Sequence, residues 1–349
     1  MKFAGKRRLG ALIAAAAAVS LALAGCADTG GSTSPSSSDA AADGTGNLSV
    51  TFVPKNLGNP YFDASSTGGK AAVEEFGGTF NEVGPAEATP DGQVSYINTL
   101  TQQQVGSIVI SANDPSAICS ALQEAKNSGV KVVTFDSDTN PECRDVFVNQ
   151  ADAEGIAKTQ IDLIADQIGG KGQIAILSAS ANATNQNTWI ELMKEYLASD
   201  YPDIELVEVV YGDDDDQTSF DKTSSLLQTY PDLKGIVSPT TVGIAAAARY
   251  IDTSEYKGKV AITGLGTPNQ MREYVENGTV EAFALWNPED LGYLAAYTAQ
   301  ALIDGTITGA EGDTFEAGKL GEYTVGADNT VLLGDPYVFN KDNIGDFDF

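Results

Sequence analysis

From residue 48 onward, short aliphatic and β-branched runs alternate with longer stretches whose apolar positions recur every three to four residues. The short runs at 48–53, 80–83, 107–110, 132–135, 174–177, 204–211, 235–238, 260–263 and 280–285 read as strands. Helical patterns follow them near 60–76, 91–104, 115–128, 151–168, 186–199, 217–229, 241–250, 268–277 and 289–304. This βαβα rhythm predicts an α/β protein with parallel sheets covered by helices on both faces. The repeat is too long for one modest sheet, so it predicts two doubly wound lobes. Ligands of such sheets sit beyond the carboxyl ends of the strands, and two sheets facing each other make a cleft there.

The first residues carry a different pattern. Lys2, Lys6, Arg7 and Arg8 precede an uncharged, Ala- and Leu-rich run over 9–24, the signature of a secretory signal. The run is shorter than the ~20 apolar residues of a membrane-spanning helix and ends in small residues, which favours cleavage over anchoring. Its end reads Leu23-Ala24-Gly25-Cys26, similar to the bacterial lipobox, where the Cys thiol receives a lipid before cleavage. Residues 1–25 are therefore expected to be a lipoprotein signal peptide with lipid attachment at Cys26. Residues 26–46, rich in Gly, Ser, Thr, Ala and Asp, form a flexible tether, because such a composition buries too little surface to order itself.

Cleavage leaves 324 of the 349 residues, enough for two domains. It also removes four of the 20 basic residues and none of the 48 acidic ones, taking the net charge from −28 to about −32. So acidic a surface repels nucleic acid and anionic lipid head groups, so membrane contact is expected through the lipid alone. There is no His in the chain, which excludes a zinc site of the usual His/Cys kind and Ser-His or Cys-His catalysis. No metal and no cofactor is expected. Cys119 and Cys143 remain as an even set on the oxidising side of the membrane and can pair. Cys119 falls in the helix after the 107–110 strand and Cys143 in the loop after the adjacent strand, which favours a disulfide between them. The acidic run 213–216 reads as a solvated turn, since ion sites space their ligands.

Several segments together resemble the type I periplasmic binding proteins, in particular the group that binds rhamnose and autoinducer-2. They are Val53-Pro54-Lys55, Asn59-Pro60-Tyr61-Phe62, residues 134–139, Pro141-Glu142-Cys143-Arg144, Asn149-Gln150, residues 184–189, Ser238-Pro239-Thr240-Thr241 and Thr267-Pro268-Asn269. The resemblance covers about residues 48–340. It implies a substrate-binding protein of an ABC sugar importer, not an enzyme. It also implies a three-segment hinge, with 47–149 plus 287–318 as the N-terminal lobe and 150–286 plus 319–349 as the C-terminal lobe. The partners implied are a small sugar, the permease and its ATPase subunit; the protein is expected to be an extracytoplasmic monomer, held to the outer face of the cell membrane.

The residues carrying the resemblance follow predicted strands, where an open parallel sheet places its ligand. Asp136 is the leading candidate, its carboxylate suited to accepting sugar hydroxyls, with Asp138 two residues on. Lys55 brings three donors, and Asn185 and Gln186 bring amides that both give and take hydrogen bonds. Tyr61, Phe62 and Trp286 are flat faces for the C–H side of a sugar ring. Asn59, Gln150, Pro239 and Thr241 complete the expected ligand-binding set. In the autoinducer-2 branch the positions equal to Asn185 and Thr241 are Asp and Ala, so the Asn and Thr found in this chain resemble the rhamnose branch and point to a deoxyhexose. Two rivals are weaker. A sugar hydrolase would use Asp136 and Asp138 as an acid/base pair, but nothing in the sequence marks a carboxylate facing Asp136 from ~5 Å or more. A repressor sharing the fold would need a DNA-binding helix pair where the signal segment lies.

Overall fold

The computed structural model describes residues 47–349; the signal segment, Cys26 and the tether expected before them lie outside the described residues. The first βα unit begins with a buried strand and continues into a capped helix. Strand β1 (Ser49–Val53) runs into α1 (Pro60–Glu75), whose start is set by Pro60 and by Asn59 Oδ1, which accepts from Tyr61 N at 3.1 Å. Then follow β2 (Thr79–Glu82), α2 (Pro90–Gln103), β3 (Ser107–Ile110), α3 (Cys119–Asn127), β4 (Lys131–Phe135) and β5 (Val146–Asn149).

The chain next builds a second sheet. Its elements are α4 (Ala153–Ile168), β6 (Gly172–Ser178), α5 (Thr184–Asp200), β7 (Ile204–Tyr211), α6 (Asp216–Thr229), β8 (Leu233–Ser238), α7 (Thr241–Asp252), β9 (Ala261–Gly264), α8 (Pro268–Glu276) and β10 (Ala282–Leu285). Helix α9 (Pro288–Ile303) returns to the first lobe and packs along α1. The approach is close enough that a Cβ on Gly292 would lie 1.8 Å from the Ser65 carbonyl oxygen, so only glycine fits there. The short strands β11 (Thr314–Glu316), β12 (Glu322–Thr324), β13 (Thr330–Leu332) and β14 (Tyr337–Asn340) close the chain.

The first sheet has the order β2-β1-β3-β4-β5-β13 and every pairing in it is parallel. The second has the parallel order β7-β6-β8-β9, continued by β10 through a bridge from Leu265 to Ala284. Both show the doubly wound pattern, in which strand order reverses at a switch point. Two corrections to the pattern reading follow. The pattern gave no strand between the 132–135 run and the helix near 151–168, yet residues 146–149 form β5, an interior strand between β4 and β13. The last crossing was expected at 319. It falls after Leu332 instead, because Thr330–Leu332 pairs in register with Phe147–Asn149 in the first sheet, and only β14 joins the second lobe, antiparallel to β10. Strands of three residues carry too few positions for a period of two to show.

Cys119, at the start of α3, is bonded to Cys143, with Cα atoms 5.2 Å apart. The bridge ties the helix to the turn before β5.

Candidate functional site

The two switch points face each other, and the residues beyond them line one small cavity in which apolar walls and a few convergent polar groups meet, the make-up of a small-molecule site. Of the expected residues, Lys55, Asn59, Tyr61, Phe62, Asp136, Asn185, Gln186, Pro239, Thr241 and Trp286 line it. Lys55 follows β1, Asp136 follows β4, Asn185 and Gln186 open α5 after β6, Pro239 and Thr241 follow β8, and Trp286 follows β10. Each strand contributes at its carboxyl end, as an open parallel sheet requires.

Asp136 is the centre of the polar network. Its backbone sits in the left-handed region at φ 60°, which a short polar side chain tolerates. Its Oδ1 accepts from the Tyr61 hydroxyl at 3.2 Å and its Oδ2 from the Ser111 hydroxyl at 2.7 Å, while the Lys55 ammonium lies 3.6 Å from Oδ2. A carboxylate has about four lone-pair sites; Tyr61 and Ser111 hold two of them, and the longer contacts to Lys55 at 3.6 Å and Asn185 at 3.4 Å are the two that ligand hydroxyls would exchange with. Lys55 also donates to Asn185 Oδ1 at 3.2 Å, and Asn185 Nδ2 donates back to Asp136 at 3.4 Å, so the network bridges the two lobes. Gln186 is oriented by Ser178 Oγ and Ala179 N, both donating to its carboxamide oxygen at 2.7 and 2.8 Å. That leaves its NH2 for the cleft. Asn59 has a double role, because its oxygen is already used in capping α1.

The apolar wall is a chain of aromatic rings. Phe135 meets Phe62 at 6.2 Å between centroids, Phe62 meets Tyr61 at 5.1 Å, Tyr61 meets Trp286 at 6.1 Å and Trp286 meets Trp189 at 6.0 Å, all edge to face. Trp286 Nε1 donates to the Tyr61 hydroxyl at 2.9 Å. Burial, with Asp136 alongside, pushes the Tyr61 phenol well above its usual pKa, so Tyr61 works as a neutral donor.

Two expected residues lie elsewhere. Asp138 is gripped by Arg144, with Nε to Oδ1 at 2.8 Å and Nη2 to Oδ2 at 2.9 Å, and it also accepts from Thr139 N. Arg144 in turn donates to the Asn329 carbonyl at 3.2 Å, so the pair fastens the β4–β5 connection to the segment before β13. Asp138 is thereby occupied in structure, which removes it from the ligand set and from any acid/base pairing with Asp136. Gln150 is 1% exposed at the first crossing and does not line the cleft.

Sequence reasoning missed Trp189, Asp214, Thr240, Leu265 and Leu285, which also line the cavity. Asp214 corrects the reading of 213–216 as a solvated turn: it accepts from Thr240 Oγ1 at 2.5 Å, and burial raises its carboxyl above the usual range. Its position three residues past the end of β7 was a signal only for the run as a whole, not for Asp214 among its neighbours. Trp189 carried a signal of its own, being a full turn into α5 from Asn185.

The chain matches the periplasmic binding protein domain family over residues 50–307. It is 55% identical to a sugar ABC transporter protein from Actinomyces odontolyticus, covering 86% of this chain and 97% of that one, with a TM-score of 0.71. An ABC transporter solute-binding protein from Clostridium phytofermentas with bound L-rhamnose is 41% identical, covering 85% and 97%, with a TM-score of 0.83. LsrB from Clostridium saccharobutylicum in complex with AI-2 is 27% identical, covering 86% and 100%, with a TM-score of 0.81.

Proposed function

Because this chain belongs to the periplasmic binding protein domain family, and is a non-enzymatic sugar-binding component of an ABC importer, we propose that it captures L-rhamnose or a similar deoxyhexose between its two lobes. The observation that carries this reading is the amide at Asn185. Lys55 fixes the amide oxygen at 3.2 Å, beside Asp136, so the site presents an NH2 donor where a carboxylate would present only acceptors. The rhamnose-bound relative, at 41% identity, supports the same ligand. Lys55, Asp136, Asn185 and Gln186 would meet the hydroxyls, and Tyr61, Phe62 and Trp286 the C–H face of the ring. Ligand contacts made to both lobes exist only in the closed form, so the sugar shifts the population toward it, and the permease would read that shape.

Calorimetry with wild type and Asn185→Asp against L-rhamnose and autoinducer-2 tests the ligand. The wild type is expected to prefer rhamnose. Asn185→Asp is expected to weaken rhamnose about tenfold, by replacing a donor with a second anion beside Asp136, and to improve autoinducer-2, whose extra hydroxyls donate. Tight wild-type binding of autoinducer-2 without rhamnose would reverse the assignment.

We further propose that Cys26 carries the lipid that holds the protein at the outer face of the membrane. Among the described residues no helix is long and apolar enough to cross a membrane. Cys26→Ser is expected to release a folded protein into the soluble fraction, since stable attachment takes two or more acyl chains. Recovery of that variant with the membranes would show that another anchor operates.

A further inference from the structure

Four consecutive aspartates follow β7, and they are not equivalent. Asp215 caps α6, its Oδ1 accepting from Thr218 N and from Thr218 Oγ1, each at 2.7 Å. Asp216 pairs with Arg249. Asp213 is exposed at the mouth of the cleft, where Glu87 of the first lobe also lies. Asp214 turns inward and lines the same cavity as Lys55 and Asp136. Asp213 and Asp214 both hold left-handed backbone, at φ 55° and 51°. Two such non-glycine residues in succession are costly, and strain of this kind persists where the surrounding structure enforces it.

The charge balance of the cavity then changes. Lys55 supplies one positive charge, already shared between Asp136 and Asn185, while Asp136 and Asp214 bring two carboxylates from opposite lobes. The Thr240 hydroxyl occupies Asp214 Oδ1 and so orients the group, leaving Oδ2 as an acceptor. Lys55, Asp136 and Asp214 all line one cavity; burial raises the Asp214 carboxyl above the usual range, while Thr240 and Lys55 oppose the rise and Asp136 adds to it.

We infer that Asp214 is a specificity-determining residue, a second-lobe carboxylate held by Thr240 that makes the cleft selective for neutral, hydroxyl-donating sugars against their carboxylate-bearing counterparts. This deepens, and rests on, the sugar-binding reading above. A neutral sugar donates a hydroxyl to Asp214 as the lobes close and so bridges the two carboxylates. An anionic sugar meets two like charges in a partly dry cavity where one ammonium is already engaged. At separations of a few ångströms that repulsion amounts to roughly tenfold or more in affinity.

The test compares L-rhamnose with L-mannuronate, which carries a carboxylate where rhamnose has its C5 methyl. Calorimetry on wild type, Asp214→Asn and Asp213→Asn gives the ratio of the two affinities for each protein. Asp214→Asn is expected to lower the preference for rhamnose over the acid by at least tenfold, while Asp213→Asn, exposed one residue away, keeps the wild-type ratio. An unchanged ratio in Asp214→Asn, including no detectable binding of the acid, overturns the inference, as does an equal shift in Asp213→Asn. Should Asp214→Asn not fold, Asp214→Gly suits the left-handed backbone and carries the same test. If the wild type ignores rhamnose, the ligand proposal is what has failed. The same ratio is then measured with the neutral sugar that does bind and its uronic acid.

Discussion

Asp136→Ala is expected to reduce sugar affinity by a hundredfold or more and to destabilise the unliganded protein as well. Each charged hydrogen bond lost to a ligand hydroxyl is worth ~1.5–3 kcal/mol, and Asp136 has acceptor capacity for two. The stability loss has a separate origin. Lys55 is only 4% exposed and its ammonium lies 3.6 Å from Asp136 Oδ2, so the variant leaves a buried cation without its counter-ion. Breaking one side of a buried pair costs ~3–5 kcal/mol, to which the unpartnered hydroxyls of Tyr61 and Ser111 add. Asp138→Asn provides the contrast: its carboxylate faces Arg144, away from the cleft, so sugar affinity should stay within a few-fold of wild type. Calorimetric titration and thermal melts of both variants check these outcomes. Unchanged sugar affinity in Asp136→Ala would remove it from the site.

Loss of the Cys119–Cys143 bridge is expected to lower stability by about 3 kcal/mol, from the loop-closure entropy restored to the unfolded chain over a separation of 24 residues. For a lobe of this size that corresponds to a fall of roughly 6–12 °C in Tm. Cys119→Ser and reduced wild type should show the same fall, and both should keep sugar affinity, because neither cysteine lines the cleft. The bridge adjoins Arg144, so the loosened segment is the one that holds Asp138. Two free thiols in an Ellman titration of the unfolded, unreduced protein would show that the bridge does not form.

The candidate site was legible in part because its geometry is written into the strand ends. Lys55, Asp136 and Asn185 each stand just past an aliphatic run, and in a parallel sheet that position faces the ligand whatever the details of packing. Asp138 was misassigned for the same reason. It shares the strand-end position, and only the folded chain shows Arg144 reaching back to take both of its oxygens. Asp214 was hidden inside a run of four identical residues. Sequence offers no way to tell which of them caps a helix, which meets Arg249 and which enters the cavity, because those roles are decided by left-handed turns at Asp213 and Asp214 and by Thr240, 26 residues away.

By itself the sequence determined the α/β class, the parallel sheets and the face on which a ligand sits, since these follow from local periodicity and from a general property of parallel strands. Tertiary structure decided which lobe the chain's end completes. Strands β13 and β14 are three and four residues long, and their places are set by pairing with β5 and β10, far away in sequence. It also decided how charge is distributed in the cleft, because a carboxylate's role depends on which partners reach it across the fold, and that information exists only when the two lobes are brought face to face.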